Sequence, residues 1–229
     1  MEQIPTLLRG EARPIQSWIA EWNVARMILY GVVIVAGTAA FGGTIGIWRD
    51  PLQAVYTAIK VPLIMLLTAL GNGLLNGMLA PLLGINISFR QSLLAIFMSF
   101  TITAAILGAC SPLIYFMVWN FPPLDKTNAA ANATYGLLLE VLVAVIALAG
   151  IIGNVRLLQL LRQLSGNNIG ARRTLVAWLA GNLLLGSQLA WILRPFVGSP
   201  GLPVEFLRRN PFESNFFEAL WLHLQHLTR

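Results

Sequence analysis

Glu140 is a carboxylate set inside a long apolar run that opens near Thr134. An acidic side chain in hydrocarbon is costly, and by default it marks a proton or cation site. The plainer alternative is that Glu140 lies within about two turns of a helix start, where interfacial water hydrates it. Amides form the second group: Asn72, Asn76, Asn182 and Gln188 interrupt otherwise apolar stretches, and Asn72 and Asn76, four apart, share one helical face. Such residues either line a polar path or hydrogen-bond between neighbouring helices. Interhelical packing is the expectation taken here.

His223 and His226 are the two histidines of the chain, spaced for one face of a helix. Two nitrogen ligands without a third donor make no metal centre, so a polar interfacial edge is expected of them. No nucleophile elbow, phosphate-binding loop, dinucleotide fingerprint or zinc signature occurs, so neither an enzyme nor a cofactor is expected. The third group is cationic and aromatic. Arg172 and Arg173 precede an apolar run; Arg194 and Phe196 flank Pro195 just after it; Glu205, Phe206, Arg208 and Arg209 follow in a proline-rich tail. These fit contacts with anionic lipid headgroups or with a protein partner. Arg194 in particular is placed to reach lipid phosphate or the open carbonyls of a helix end.

The composition says what must position these side chains. Of 229 residues, 57% are hydrophobic and 10% charged, against about 25% charged in an ordinary soluble domain; the mean hydropathy is +0.72. So little charge leaves too much apolar surface for water, and lipid is the expected solvent. The net charge of +6 falls at the ends of apolar runs rather than in a basic stripe interleaved with aromatics, which argues for anionic lipid and against nucleic acid. Cys110 is the single cysteine and can form no internal disulfide. Glu2, Arg9, Glu11 and Arg13 precede any apolar run, the wrong order for a cleavable signal.

The hydropathy pattern predicts an all-α, polytopic transmembrane helical bundle of about five spans, at 27–47, 61–83, 92–119, 134–155 and 174–193. Around it lie an N-terminal interfacial segment (1–26) and a C-terminal loop with an amphipathic helix (195–229); the bundle itself occupies 27–194. Within the first segment, Ile15, Trp18, Ile19 and Trp22 predict a helix over 14–25 lying in the interface and leading straight into the first span. Tyr30 and Trp48 are read as interfacial anchors. Gly42 and Gly46 predict a close helix approach. The 53–60 stretch is expected to be a separate interfacial piece, with Pro62 opening the second span. The 92–119 span should stay one helix despite Pro112. The fourth span should continue past Val155 as an amphipathic extension to about Gly166. In the tail, Asn210 with Glu213 predicts a helix start over 211–227.

The stretch from Asp50 to Tyr115 has a charged-proline start, a Lys60-x-Pro62 entry, a glycine-ended second helix, the Ser88-to-Ala95 re-entry SFRQSLLA and a Ser111-Pro112 pair. In this layout it resembles the Yip1-domain family of small polytopic membrane proteins, and the resemblance continues loosely through two further spans. The WILRPFVGSP tail and the terminal amphipathic segments depart from that family. The resemblance implies a non-enzymatic, membrane-organising protein without a cofactor. The expectation is therefore a scaffold or complex subunit in a bilayer with anionic headgroups, with a protein partner or a second copy as its other contact. The alternative is a small ion or solute channel built on Glu140 and the buried amides. Arg156, Arg162, Arg172 and Arg173, the densest short-loop cluster, would put the N-terminus inside, and the chain's closer likeness to bacterial members of such folds implies a bacterial inner membrane.

Overall fold

Long runs without charge can satisfy their peptide groups in lipid only within the run itself, which makes each of them a helix. The structure, a computed structural model, describes residues 3–82, 88–123, 129–165, 168–198 and 202–227. Among the described residues there are eight helices and no strand: α1 (Gln3–Arg9), α2 (Ala12–Ala20), α3 (Val24–Gly46), α4 (Pro51–Leu82), α5 (Phe89–Trp119), α6 (Ala129–Ser165), α7 (Asn168–Leu193) and α8 (Phe216–Leu227). Five of them, α3 to α7, are long and apolar enough to cross a membrane. The chain is an all-α polytopic bundle.

α5 is the axis. It packs against α3, α4 and α6, while α7 closes the far side by touching α4 and α6. Accordingly 61% of the most apolar window of α5 is buried within the bundle, against 6% for α7, most of whose residues are half-buried or exposed. Glycines set the tightest approaches. A Cβ at Gly46 would lie 2.6 Å from the Gln53 carbonyl, one at Gly42 would meet the Thr57 carbonyl, and one at Gly108 would lie 2.8 Å from the Gly37 Cα. The Gly42–Gly46 pair thus brings α3 onto α4 as its spacing predicted.

Several boundaries differ from the sequence pattern. The 53–60 stretch is no separate piece: α4 starts at Pro51 and runs unbroken through Pro62. Proline is tolerated there because packed neighbours hold the helix together, and α3 lies along its first half, with Gly42 and Gly46 against Thr57 and Gln53. α5 is continuous through Pro112. α6 starts before Thr134 and extends to Ser165, about 55 Å at 1.5 Å per residue. Its extension buries Leu157, Leu160 and Leu161 together with Leu7, Ile15 and Ile19 of α1 and α2, so the apolar face of the N-terminal helices is turned onto the bundle. α2 does not run into the first span. The chain breaks at 21–23, Asn23 caps α3 by accepting from the Arg26 N–H, and Arg26 reaches back to donate to the Trp18 carbonyl at 2.7 Å. A cation on the open carbonyls of a helix end is favourable. Tyr30 is no interfacial anchor: it is fully buried in the bundle. Trp48 does sit at an end, donating to the Pro122 carbonyl and stacking on Tyr135. The tail helix starts later than its sequence signal. Asn210 and Glu213 make only a turn, and Asn215 caps α8 by accepting from the Glu218 N–H at 2.8 Å.

Candidate functional site

Along α4, Gln53, Thr57, Lys60, Thr68, Asn72 and Asn76 recur at helical spacing, and all are buried. They form one polar stripe over most of the helix, and each half of it serves a different neighbour.

The first half holds the start of the C-terminal tail. Beyond α7 the chain turns at a cis Arg194–Pro195 peptide, and its carbonyls, out of helical register, need outside donors. Lys60 Nζ donates to the Pro195 carbonyl at 2.8 Å, and Gln53 Nε2 to the same oxygen at 3.0 Å. The Phe196 carbonyl accepts from Gln53 Nε2 at 2.6 Å and from Thr57 Oγ1 at 2.9 Å. Lys60 is wholly enclosed, with its ammonium 5.1 Å from the Phe206 ring centroid. The aromatic face complements the carbonyl as a partner for that charge. Phe206 also packs edge-on against Tyr56, and Arg49 donates to the Leu202 carbonyl at 2.9 Å.

Further out, Trp191 organises the tail. The Arg194 guanidinium lies 3.3 Å from its ring centroid and that of Arg208 5.2 Å; the indole N–H donates to the Ser214 carbonyl at 3.1 Å. Arg208 donates to the Pro211 and Glu213 carbonyls, at 2.9 and 3.0 Å. Burial and the neighbouring charge of Arg208 push the Arg194 pKa down. Gln188 accepts from the Phe216 N–H at 3.4 Å and so ties α8 to α7.

The second half of the stripe faces α7. Asn72 Nδ2 donates to the Trp178 carbonyl at 3.1 Å and to Asn182 Oδ1, while Asn76 Nδ2 donates to Asn72 Oδ1. A Cβ at Gly181 would collide with Asn72 Oδ1, so glycine there is what admits the amide.

The structure therefore gathers Asn72, Asn76 and Asn182 but separates the other two residues of that group. Gln188 belongs to the tail attachment. Glu140 is exposed on α6, a helix that does not pack against α4. Arg172 and Arg173 are exposed at the start of α7. Among the tail residues, Phe196 is held to α4 through its carbonyl while its side chain packs in the cluster that contains Phe41, Leu107 and Leu138; Phe206 packs on Tyr56 and Lys60 of α4; and Arg194, Glu205, Arg208 and Arg209 line a recess beside Pro195, Gly198, Leu202 and Pro203. The side chains of His223 and His226 lie outside those described. Among the described residues no three metal-ligating side chains come together.

Gln53, Thr57 and Lys60 are absent from the sequence-based site, although their spacing continues that of Asn72 and Asn76 backwards. Extending the amide pair along its own helical face would have found them. No protein-family model, no curated protein and no solved structure matches the chain.

Proposed function

We propose that this protein is a non-enzymatic integral membrane scaffold or complex subunit whose C-terminal tail is its docking surface. The observation that carries this reading is a tail with a fixed base and an apolar exterior. Its exit is held by donors from Gln53, Thr57 and Lys60, yet Leu202, Phe212 and Trp221, all outside the five spans, are exposed. Large apolar side chains presented on an ordered surface are typical of an interaction site, and a pre-ordered loop loses less entropy on association. The layout of Asp50–Tyr115, which resembles the Yip1-domain family, supports the same class of role. The arginines at the α6–α7 junction support a topology with the N-terminus inside, and the same resemblance is what supports a bacterial inner membrane.

The test is deletion of residues 198–229, which leaves Pro195 and Phe196 on α4. In a detergent pull-down the full chain should recover a stoichiometric partner or a second copy. The truncated chain should insert and keep its helical content but lose that recovery. A truncated chain that still recovers its partner refutes the reading.

A further inference from the structure

The recess beside the α7 exit has a volume of about 520 Å³ and carries three guanidinium groups, Arg194, Arg208 and Arg209, against one carboxylate, Glu205. That carboxylate does not neutralise them. Among the described residues the one ion pair joins Arg9 and Glu11, so Glu205 lies beyond ion-pair distance of every described cation.

Two of the arginines are also held in place without being satisfied. Arg194 is stacked on Trp191 and Arg208 sits on the same ring, while the Nε of each is buried with no hydrogen-bond acceptor. An arginine stays charged in a protein, and two like charges on one indole repel unless an anion lies between or beside them. The fork of N–H donors on a guanidinium matches tetrahedral and planar oxyanions. The recess falls within the range of about 300–1,000 Å³ typical of small-ligand sites. Its wall combines this charge with apolar Pro195, Leu202 and Pro203, and it lies immediately beyond the end of a candidate span, where headgroups gather.

We infer that this recess is a phosphate-binding site, filled by the headgroup of an anionic phospholipid or by free phosphate. Arg194 and Arg208, fixed by Trp191, grip the oxygens. The exposed Arg209 adds charge at the rim. The site stands on its own charge and not on the docking reading: phosphate binding can fail while a partner is still recovered, and the reverse.

The detergent-solubilised full chain is titrated with dioleoyl phosphatidylglycerol and with dioleoylglycerol, which has the same acyl chains and no phosphate, and bound lipid is read by native mass spectrometry. The phosphatidylglycerol should bind and the dioleoylglycerol should not. Arg194→Gln should weaken phosphatidylglycerol binding about tenfold or more, the loss expected for one charge-assisted contact, and Arg209→Gln by a smaller factor. Should Arg194→Gln fail to fold, Arg209→Gln and Arg194→Lys decide the matter, the latter keeping charge but losing the planar fork. Displacement of phosphatidylglycerol by millimolar inorganic phosphate would assign the site to free phosphate as well; no displacement would assign it to the lipid headgroup. Equal binding of both lipids, or binding that the arginine variants leave unchanged, would overturn the proposal.

Discussion

Near its start, α4 lends donors to the main chain of a segment that has just left its helix; further along, the same face meets the Asn182 amide and one backbone carbonyl of α7. At Gln53, Thr57 and Lys60 the acceptors are the Pro195 and Phe196 carbonyls. At Asn72 and Asn76 the bonding closes on itself through Asn182, with one bond to the Trp178 carbonyl. The difference lies in what each acceptor would do alone. A side-chain amide carries donors and an acceptor and can bond to another amide, but a carbonyl buried at an irregular corner has only the donors aimed at it. The first region therefore fixes where the chain goes, and the second fixes how two helices rotate against each other.

The sharpest way to break this comparison is the double variant Gln53→Leu with Thr57→Val, which leaves the Phe196 carbonyl without a donor. It should cost the tail attachment roughly 1–3 kcal/mol, read as about fivefold or greater acceleration of hydrogen exchange over 202–215, with the spans still protected. Unchanged exchange in the tail would show that α4 does not hold it. Asn72→Leu should act on the other region: about 1 kcal/mol less stability in detergent, within the range measured for interhelical hydrogen bonds, and no change in tail exchange. A tail that loosens in Asn72→Leu would mean that the two regions are one cooperative unit. The smallest effect is expected of Glu140→Gln. That side chain is exposed and belongs to neither region, so stability should move by less than about 0.5 kcal/mol; a large change would tie α6 to the amide cluster after all.

The spans were legible in the sequence because each run of uncharged residues forms its own hydrogen bonds, whatever surrounds it. Even the long α6 was readable past Val155, where leucines alternate with Arg156, Gln159 and Arg162. The misreadings share one cause. Lys60 and Pro62 looked like the boundary of a span, since a charge belongs in water and a proline at a helix start. In the structure the Lys60 charge is met inside the protein by the Pro195 carbonyl and Phe206. Tyrosine favours the membrane surface, which points to an anchor at Tyr30, but α3 turns the side chain inward. Asn210 and Glu213 had the right residues for a helix start, yet the Arg208 contacts to the Pro211 and Glu213 carbonyls spend that segment on a turn.

The sequence alone determined the all-α class, the count of five apolar helices and the existence of a close helix approach at Gly42 and Gly46, all set by interactions within a run or by the absence of a side chain. Only the tertiary structure decided which polar residues meet. Asn72 and Asn182, or Gln53 and Phe196, lie more than a hundred positions apart. Whether they touch depends on how far each helix is rotated about its axis and on which neighbour it packs against, and neither is written in any one segment.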